Sequence, residues 1–237
     1  LGLLTVAAML PPAWEKRLVD LNVAQLQEAD LEWADCALVS AMVVQREAAR
    51  WLISRCKAAC LRVIAGGPLF TSEHEQFPEV DHFVLNEAEL TLPPFLADWE
   101  AGRAKRIYAS GEYADLQQSP VPLWELVDLD RYASMSLQYS RGCPYDCDFC
   151  NVTALLGHRP RIKGPRQVIA ELDRLYELGW RKKVFFVDDN LIGNKKALKG
   201  FLPDLKAWLE KKRWPFEFTT EATINLADDP ALLLALQ

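Results

Sequence analysis

The sequence predicts an α/β protein in two parts, a Rossmann-like parallel sheet followed by the first half of a partial (β/α) barrel. Three observations carry this reading. Short β-branched runs alternate with helical segments over the first hundred residues, the pattern of a mostly parallel sheet covered by helices. From 101 to 134 the pattern weakens into a turn-rich passage with prolines at 120 and 122, which reads as a linker. After it, three strand and helix units follow in succession, as in a barrel that stops before closing. The expected domains are therefore 1–100 and 135–237.

In the first part the expected strands are 17–21, 37–44, 61–65 and 82–85. Between them lie helices over 3–10, stopped by Pro11-Pro12, over 45–59, and over 88–100 with an interruption at Pro93-Pro94. The sheet reads as doubly wound and lacking its first strand. In the second part the expected order is strand 136–140, a cysteine-rich loop, helix 165–178, strand 183–187, helix 195–212, strand 216–221 and a helix from about 228. The chain opens on Leu1 and stops within an amphipathic pattern, so a fragment is expected. Its unfinished barrel edge is expected to make it fold poorly alone.

Half of the 237 residues are apolar and the formal net charge is −6. These values argue for a globular chain and against a surface built to neutralise nucleic-acid phosphates. The basic runs 181–183 and 211–213 abut helix ends and read as solvated C-termini. No apolar run approaches the roughly 20 residues of a membrane span, and no basic leader precedes the start. A cytoplasmic location is expected by default.

The chemistry concentrates in SRGCPYDCDFC, where Cys143, Cys147 and Cys150 stand in C-x3-C-x2-C spacing. Four readings compete. A disulfide scaffold conflicts with the cytosolic character of the chain. A catalytic dithiol leaves one thiol idle. Structural zinc needs a fourth ligand, which His158 offers. An iron–sulfur cluster held by three cysteines keeps one iron open for a ligand. Gly142 and Pro144 permit a sharp turn, and Phe149 places a ring beside the thiols. Cys36, Cys56 and Cys60 read as core packing.

This stretch resembles the C-x3-C-x-aromatic-C signature of the radical S-adenosylmethionine enzymes. The resemblance implies a [4Fe-4S] cluster on the three cysteines, with the open iron chelating the amino and carboxylate groups of S-adenosylmethionine. Reduction, by a protein such as flavodoxin or ferredoxin, then yields a 5′-deoxyadenosyl radical. It also implies cofactor contacts at two strand ends. Asp188, Asp189 and Asn190 fall where the family has a motif facing the methionine amine, although they also read as an N-cap cluster for the helix at 195. Glu221, with Thr223 and Asn225, falls on the neighbouring rim, although Glu221 also reads as an ordinary surface carboxylate. In the loop after the cysteines, Arg159, Arg161 and Lys163 read as solvated or as contacts to an anionic substrate.

Set before such a barrel, the first part looks like a cobalamin-binding domain. GLLTVAAML, RLVDLNV, DCALVSAM, VIAGGPLFTS and VDHFVLNEAE match pieces of one. Gly66, Gly67 and Pro68 end a strand where backbone can approach a large planar ligand, and Ser40 ends a strand at the same edge. Classical cobalamin domains carry Asp-x-His-x-x-Gly; here Asn22 replaces the histidine in Asp20-Leu21-Asn22, so the lower ligand is expected to be water, absent or from elsewhere. The opposing reading is a scaffold that binds nothing.

The chain is most similar to the group of hopanoid C-methylases and related lipid-modifying proteins. That implies methyl transfer to an unactivated carbon of a small-molecule or lipid substrate. Rival readings are a ring-forming or rearranging radical enzyme, a zinc- or cluster-bearing binding module, and a transfer-RNA thiomethylating enzyme, the last disfavoured by the acidic composition.

Overall fold

The computed structural model describes residues 1–236. The chain divides into two compact units, Gly2–Ala114 and a second from Asp115 onward. The passage expected to link two domains is therefore divided between them.

In the first unit α1 (Gly2–Met9) and the short α2 (Glu28–Trp33) precede β1 (Cys36–Ser40), α3 (Arg46–Ala58) and β2 (Arg62–Gly66). Then come α4 (Pro68–Glu73), β3 (His82–Val84), α5 (Ala88–Glu100) and β4 (Ile107–Tyr108). All four strands are parallel and lie in chain order, with Ser40 opposite Gly66 and Gly66 opposite Val84.

Strand alternation sends successive side chains to opposite faces, and helices cover both. Val39, Val63, Ala65 and Phe83 pack with Ile53 and Cys56 of α3 and with Leu69 and Phe70 of α4. Ile64, Val84 and Tyr108 pack with Leu92 and Phe95 of α5. α5 runs unbroken through Pro93-Pro94, because burial of Leu92 and Phe95 on either side, worth about 2–3 kcal/mol each, offsets the hydrogen bonds that the prolines cannot donate.

One expected strand does not form. Residues 17–20 belong to no ladder, because Asp20 turns the chain. Its carboxylate accepts the backbone N–H of Asn22 at 3.0 Å, and its carbonyl accepts the N–H groups of Val23 and Ala24. Side chains with this reach compete with sheet formation.

The second unit opens with three 3-10 turns, Leu116–Gln118, Trp124–Leu126 and Leu129–Arg131. The first two are packed rather than free, since Leu116 and Trp124 are fully buried. Single buried anchors in irregular backbone leave no period to read. The unit then builds β5 (Ser134–Leu137), β6 (Ser140–Arg141), α6 (Val152–Leu156), β7 (Arg161–Ile162) and α7 (Pro165–Glu177). It continues with β8 (Lys183–Phe186), α8 (Lys195–Lys212), β9 (Glu217–Thr220) and α9 (Pro230–Ala235). Strands β5, β8 and β9 form a parallel sheet in that order, and β6 pairs antiparallel with β7. Met135, Leu137, Val184 and Phe186 from the sheet are buried, as are Val168, Leu172 and Leu175 from α7 and Leu198 and Phe201 from α8.

The expected strand 136–140 is thus split into β5 and β6. Beyond Leu137 the chain leaves the sheet to begin the cysteine loop.

Candidate functional site: a cysteine loop at the strand ends

The loop is an excursion from the carboxyl end of the first sheet strand, closed at its base by the pairing of Ser140 with Ile162 and of Arg141 with Arg161. Gly142 has to be glycine. Its φ of 96° lies in the left-handed region, and a Cβ there would stand 2.8 Å from the carbonyl oxygen of Arg159 and 2.9 Å from that of Gly157. The close approach lets the N–H of Cys143 donate to Gly157 O at 3.2 Å, while the N–H of Cys150 donates to Cys147 O at 2.9 Å.

All three loop cysteines are free thiols, Cys143 half-buried and Cys147 and Cys150 exposed. Phe149 is 93% exposed beside them. Among the described residues no three His, Cys, Asp or Glu side chains stand close enough to hold a metal ion, so the thiols share a loop without forming a ready ligand set. His158 is likewise exposed on the returning leg of the loop. The donor set itself, three unpaired thiols on a loop with a glycine-dependent turn, suits an iron–sulfur cluster.

The rim residues divide by role. Asp188 is 2% exposed, and its carboxylate accepts the backbone N–H of Tyr139 at 3.0 Å, the backbone N–H of Ser140, and the Ser140 hydroxyl at 2.5 Å. Burial pushes its carboxyl up to about 6, against the pull of those hydrogen bonds and of Lys163. Asp188 therefore braces the root of the cysteine loop.

Asp189, at the rim, is also raised, by burial first and then by the carboxylate of Glu221. Asn190 is buried, and its carbonyl oxygen accepts the N–H of Thr223 at 3.3 Å, while its Nδ2 has no partner. The Thr223 hydroxyl donates to Asn225 Oδ1 at 2.7 Å, and Asn225 Nδ2 donates to the Tyr145 hydroxyl at 2.6 Å. This chain of hydrogen bonds joins two strand ends to the cysteine loop. None of the three residues at 188–190 caps α8; Asn194 does, accepting from the N–H of Ala197.

The basic stretch after the cysteines corrects the sequence reading at one position. Lys163 is 3% exposed and ion-paired at 2.5 Å with Glu171 of α7, which is fully buried. Burial raises the Glu171 carboxyl, and Lys163 opposes the rise. Sequence reasoning missed this pair because its partner lies on a helix that otherwise reads as amphipathic. A Glu among the apolar positions of α7, in register with Val168, Leu172 and Leu175, was the available signal.

In the first unit, Ser40, Gly66 and Gly67 meet at the carboxyl edge of the parallel sheet, but the glycines serve the fold. A Cβ on Gly66 would stand 2.5 Å from Val84 O, and one on Gly67, where φ is 87°, would stand 2.4 Å from Ser40 Oγ. Pro68 then begins α4, a position where its missing N–H costs nothing. Asn22 donates through Nδ2 to Asp20 at 2.7 Å and accepts from Gln45 Nε2 at 3.4 Å. Beside Gln45, Met42 and Val44 are 60% and 91% exposed. The same edge thus presents exposed apolar side chains where open α/β sheets bind ligands.

No family model matches the chain. It is 46% identical over 235 residues to an uncharacterised methyltransferase of Synechocystis sp., covering 98% of this chain and 44% of that protein. It is 37% identical over 236 residues to the hopanoid C-2 methylase of Rhodopseudomonas palustris, covering 98% and 45%. Among solved structures it is similar to TsrM, a radical S-adenosylmethionine methyltransferase from Kitasatospora setae. The TM-score is 0.63 with tryptophan substrate and an S-adenosylmethionine analogue bound, at 16% identity over 78% of this chain and 42% of TsrM. With cobalamin and a [4Fe-4S] cluster bound it is 0.59, at 14% identity. The chain spans about half the length of the curated relatives it matches. Over nearly its whole length the chain is thus related in sequence to the hopanoid C-2 methylase and to the Synechocystis methyltransferase, and its fold is similar to that of TsrM.

Proposed function

We propose that the whole protein is a radical S-adenosylmethionine C-methyltransferase that methylates an unactivated carbon of a lipid or other secondary metabolite. The observation that carries this reading is the cysteine loop, three free thiols on a glycine-dependent turn at the carboxyl end of a β/α sheet. Cys143, Cys147 and Cys150 would hold a [4Fe-4S] cluster, and Phe149 would cover one side of it. Asp189, Asn190 and Glu221 line the adjoining rim, where the unpartnered Nδ2 of Asn190 offers a donor to S-adenosylmethionine. Ser40, Gly66, Gly67, Pro68 and Asn22 border the sheet edge that would receive cobalamin, with Met42 and Val44 supplying apolar surface. Asn22 carries no imidazole, so it leaves the lower face of the cobalt to another ligand or to none.

When bound, these groups supply a hydrogen-abstracting radical and a methyl group. The chain supplies the thiolates, holds the loop at the strand ends, and presents polar rim groups to the cofactor. An external one-electron reductant of flavodoxin or ferredoxin type completes the requirement. No helix among the described residues is long and apolar enough to cross a membrane.

The test is anaerobic reconstitution of the full-length protein with iron and sulfide, followed by electron paramagnetic resonance of the reduced form. A [4Fe-4S] signal that changes on adding S-adenosylmethionine is expected. Uptake of zinc instead, or a cluster indifferent to S-adenosylmethionine, would overturn the reading.

A further inference from the structure

Two buried carboxylates meet the two legs of the cysteine loop. On the outgoing leg, Asp188 takes three hydrogen bonds, from Tyr139 N, Ser140 N and Ser140 Oγ. On the returning leg, the backbone N–H of Lys163 donates to Tyr139 O at 2.8 Å, and the Lys163 ammonium pairs with Glu171. Ser140, Lys163, Glu171 and Asp188 are all at most 3% exposed. Buried charges are costly unless paired, and apolar residues of similar size usually replace them without loss of stability. Their placement at the loop root, where the chain has left the β5 ladder and its N–H groups need acceptors, is the physical reason for their presence.

We propose that Asp188 and the Lys163–Glu171 pair are positioning residues. They clamp Tyr139–Ser140 and Ile162–Lys163 together and so fix where Cys143, Cys147 and Cys150 stand. The strand end that carries Asp188 also carries Asn190, whose chain through Thr223 and Asn225 reaches Tyr145 within the loop. The loop is thus held at its root and near its first cysteine by residues two apart. In its effect on the cluster this inference rests on the function proposed above; the clamp itself does not.

The experiment uses the full-length protein and the substitutions D188N, S140A and E171Q. Amide hydrogen exchange is followed over peptides covering 138–163 and over the first unit, and iron release from the reconstituted protein to a chelator is timed. Losing a hydrogen bond to a charged group should speed both loop exchange and iron release at least about tenfold in D188N, with smaller effects in S140A and E171Q. Exchange in the first unit should not change, a pattern that general destabilisation would not produce. Unchanged loop exchange and iron release in folded D188N would overturn the proposal. Should D188N fail to fold, unchanged rates in S140A would overturn it equally. An unmodified protein that takes up no iron refutes the cluster reading alone, and loop exchange then decides the clamp by itself.

Discussion

The first unit and the surroundings of the cysteine loop use their acidic side chains in opposite ways, although elsewhere in the second unit Glu125, Asp173 and Asp229 are lowered as well. In the first, Glu73, Asp81 and Asp98 are all held below the usual carboxylate range. Glu73 is held down by its bond to Arg46, and Asp98 by bonds from Arg103 and Tyr108. Asp81 resists burial because Lys57 and the N–H of Val63 outweigh it. Around the cysteine loop, Asp188, Asp189 and Glu171 are instead raised by burial. Carboxylates held down stabilise the fold in their charged form; carboxylates pushed up are kept at a cost, and here they gather where the loop is anchored and at its rim. Groups perturbed in this way mark functional ground more often than structural ground.

The largest effect should come from the loop itself. C147A should reduce iron uptake of the full-length protein to background, measured by iron content after reconstitution. Because the Cys147 side chain is exposed, its unfolding free energy should stay within about 0.5 kcal/mol. A large loss of stability would erase the contrast between an exposed reactive loop and a packed root.

Next come two glycines at positive φ in the first unit. G67A should cost about 2–5 kcal/mol, from the left-handed φ and the clash with Ser40 Oγ. G102A, also at positive φ but in open space, should cost only about 1–2 kcal/mol. Denaturant titration separates them, and equal costs would mean that Ser40 moves aside freely.

The comparison of carboxylates predicts a pH signature. A carboxyl whose folded value lies above its unfolded one binds its proton more tightly in the fold, so stability falls as pH rises. For Asp188, raised from 3.8 to about 6, the decline falls between about pH 4 and pH 6 and amounts to something on the order of 3 kcal/mol. The lowered carboxylates of the first unit act in the opposite sense, losing their contribution as pH falls through their folded values. Unfolding of D188N across this range should show a shallower decline than the unmodified protein; an identical slope would assign the decline to other groups.

The smallest effect tests the surface. Arg55 and Glu28 form an ion pair with Glu28 exposed and Arg55 partly so, and E28Q should change stability by less than about 1 kcal/mol.

Legibility followed the range of the interactions involved. The helices over 46–58, 165–177 and 195–212 formed within a residue or two of expectation, because their apolar spacing is local. The cysteine loop was readable for the same reason, since C-x3-C-x2-C is a short-range pattern. Residues 17–21 misled because a short apolar run such as Leu18-Val19 becomes a strand only if a partner lies alongside, and the Asp20 turn intervenes. Lys163 misled because its charge suggested solvent, while its partner Glu171 lies across a turn and on another element.

By itself the sequence determined the α/β class, the three thiols, the aromatic ring beside them and the glycine on which their turn depends, all matters of composition and near neighbours. Only the tertiary structure decided what Asp188, Gly66 and Gly67 are for. Each answers to an atom brought close by folding: Asp188 to Ser140, Gly66 to the Val84 carbonyl and Gly67 to the Ser40 hydroxyl. Hydrogen bonds and steric clashes act over a few ångströms of space, and the sequence measures distance along the chain instead.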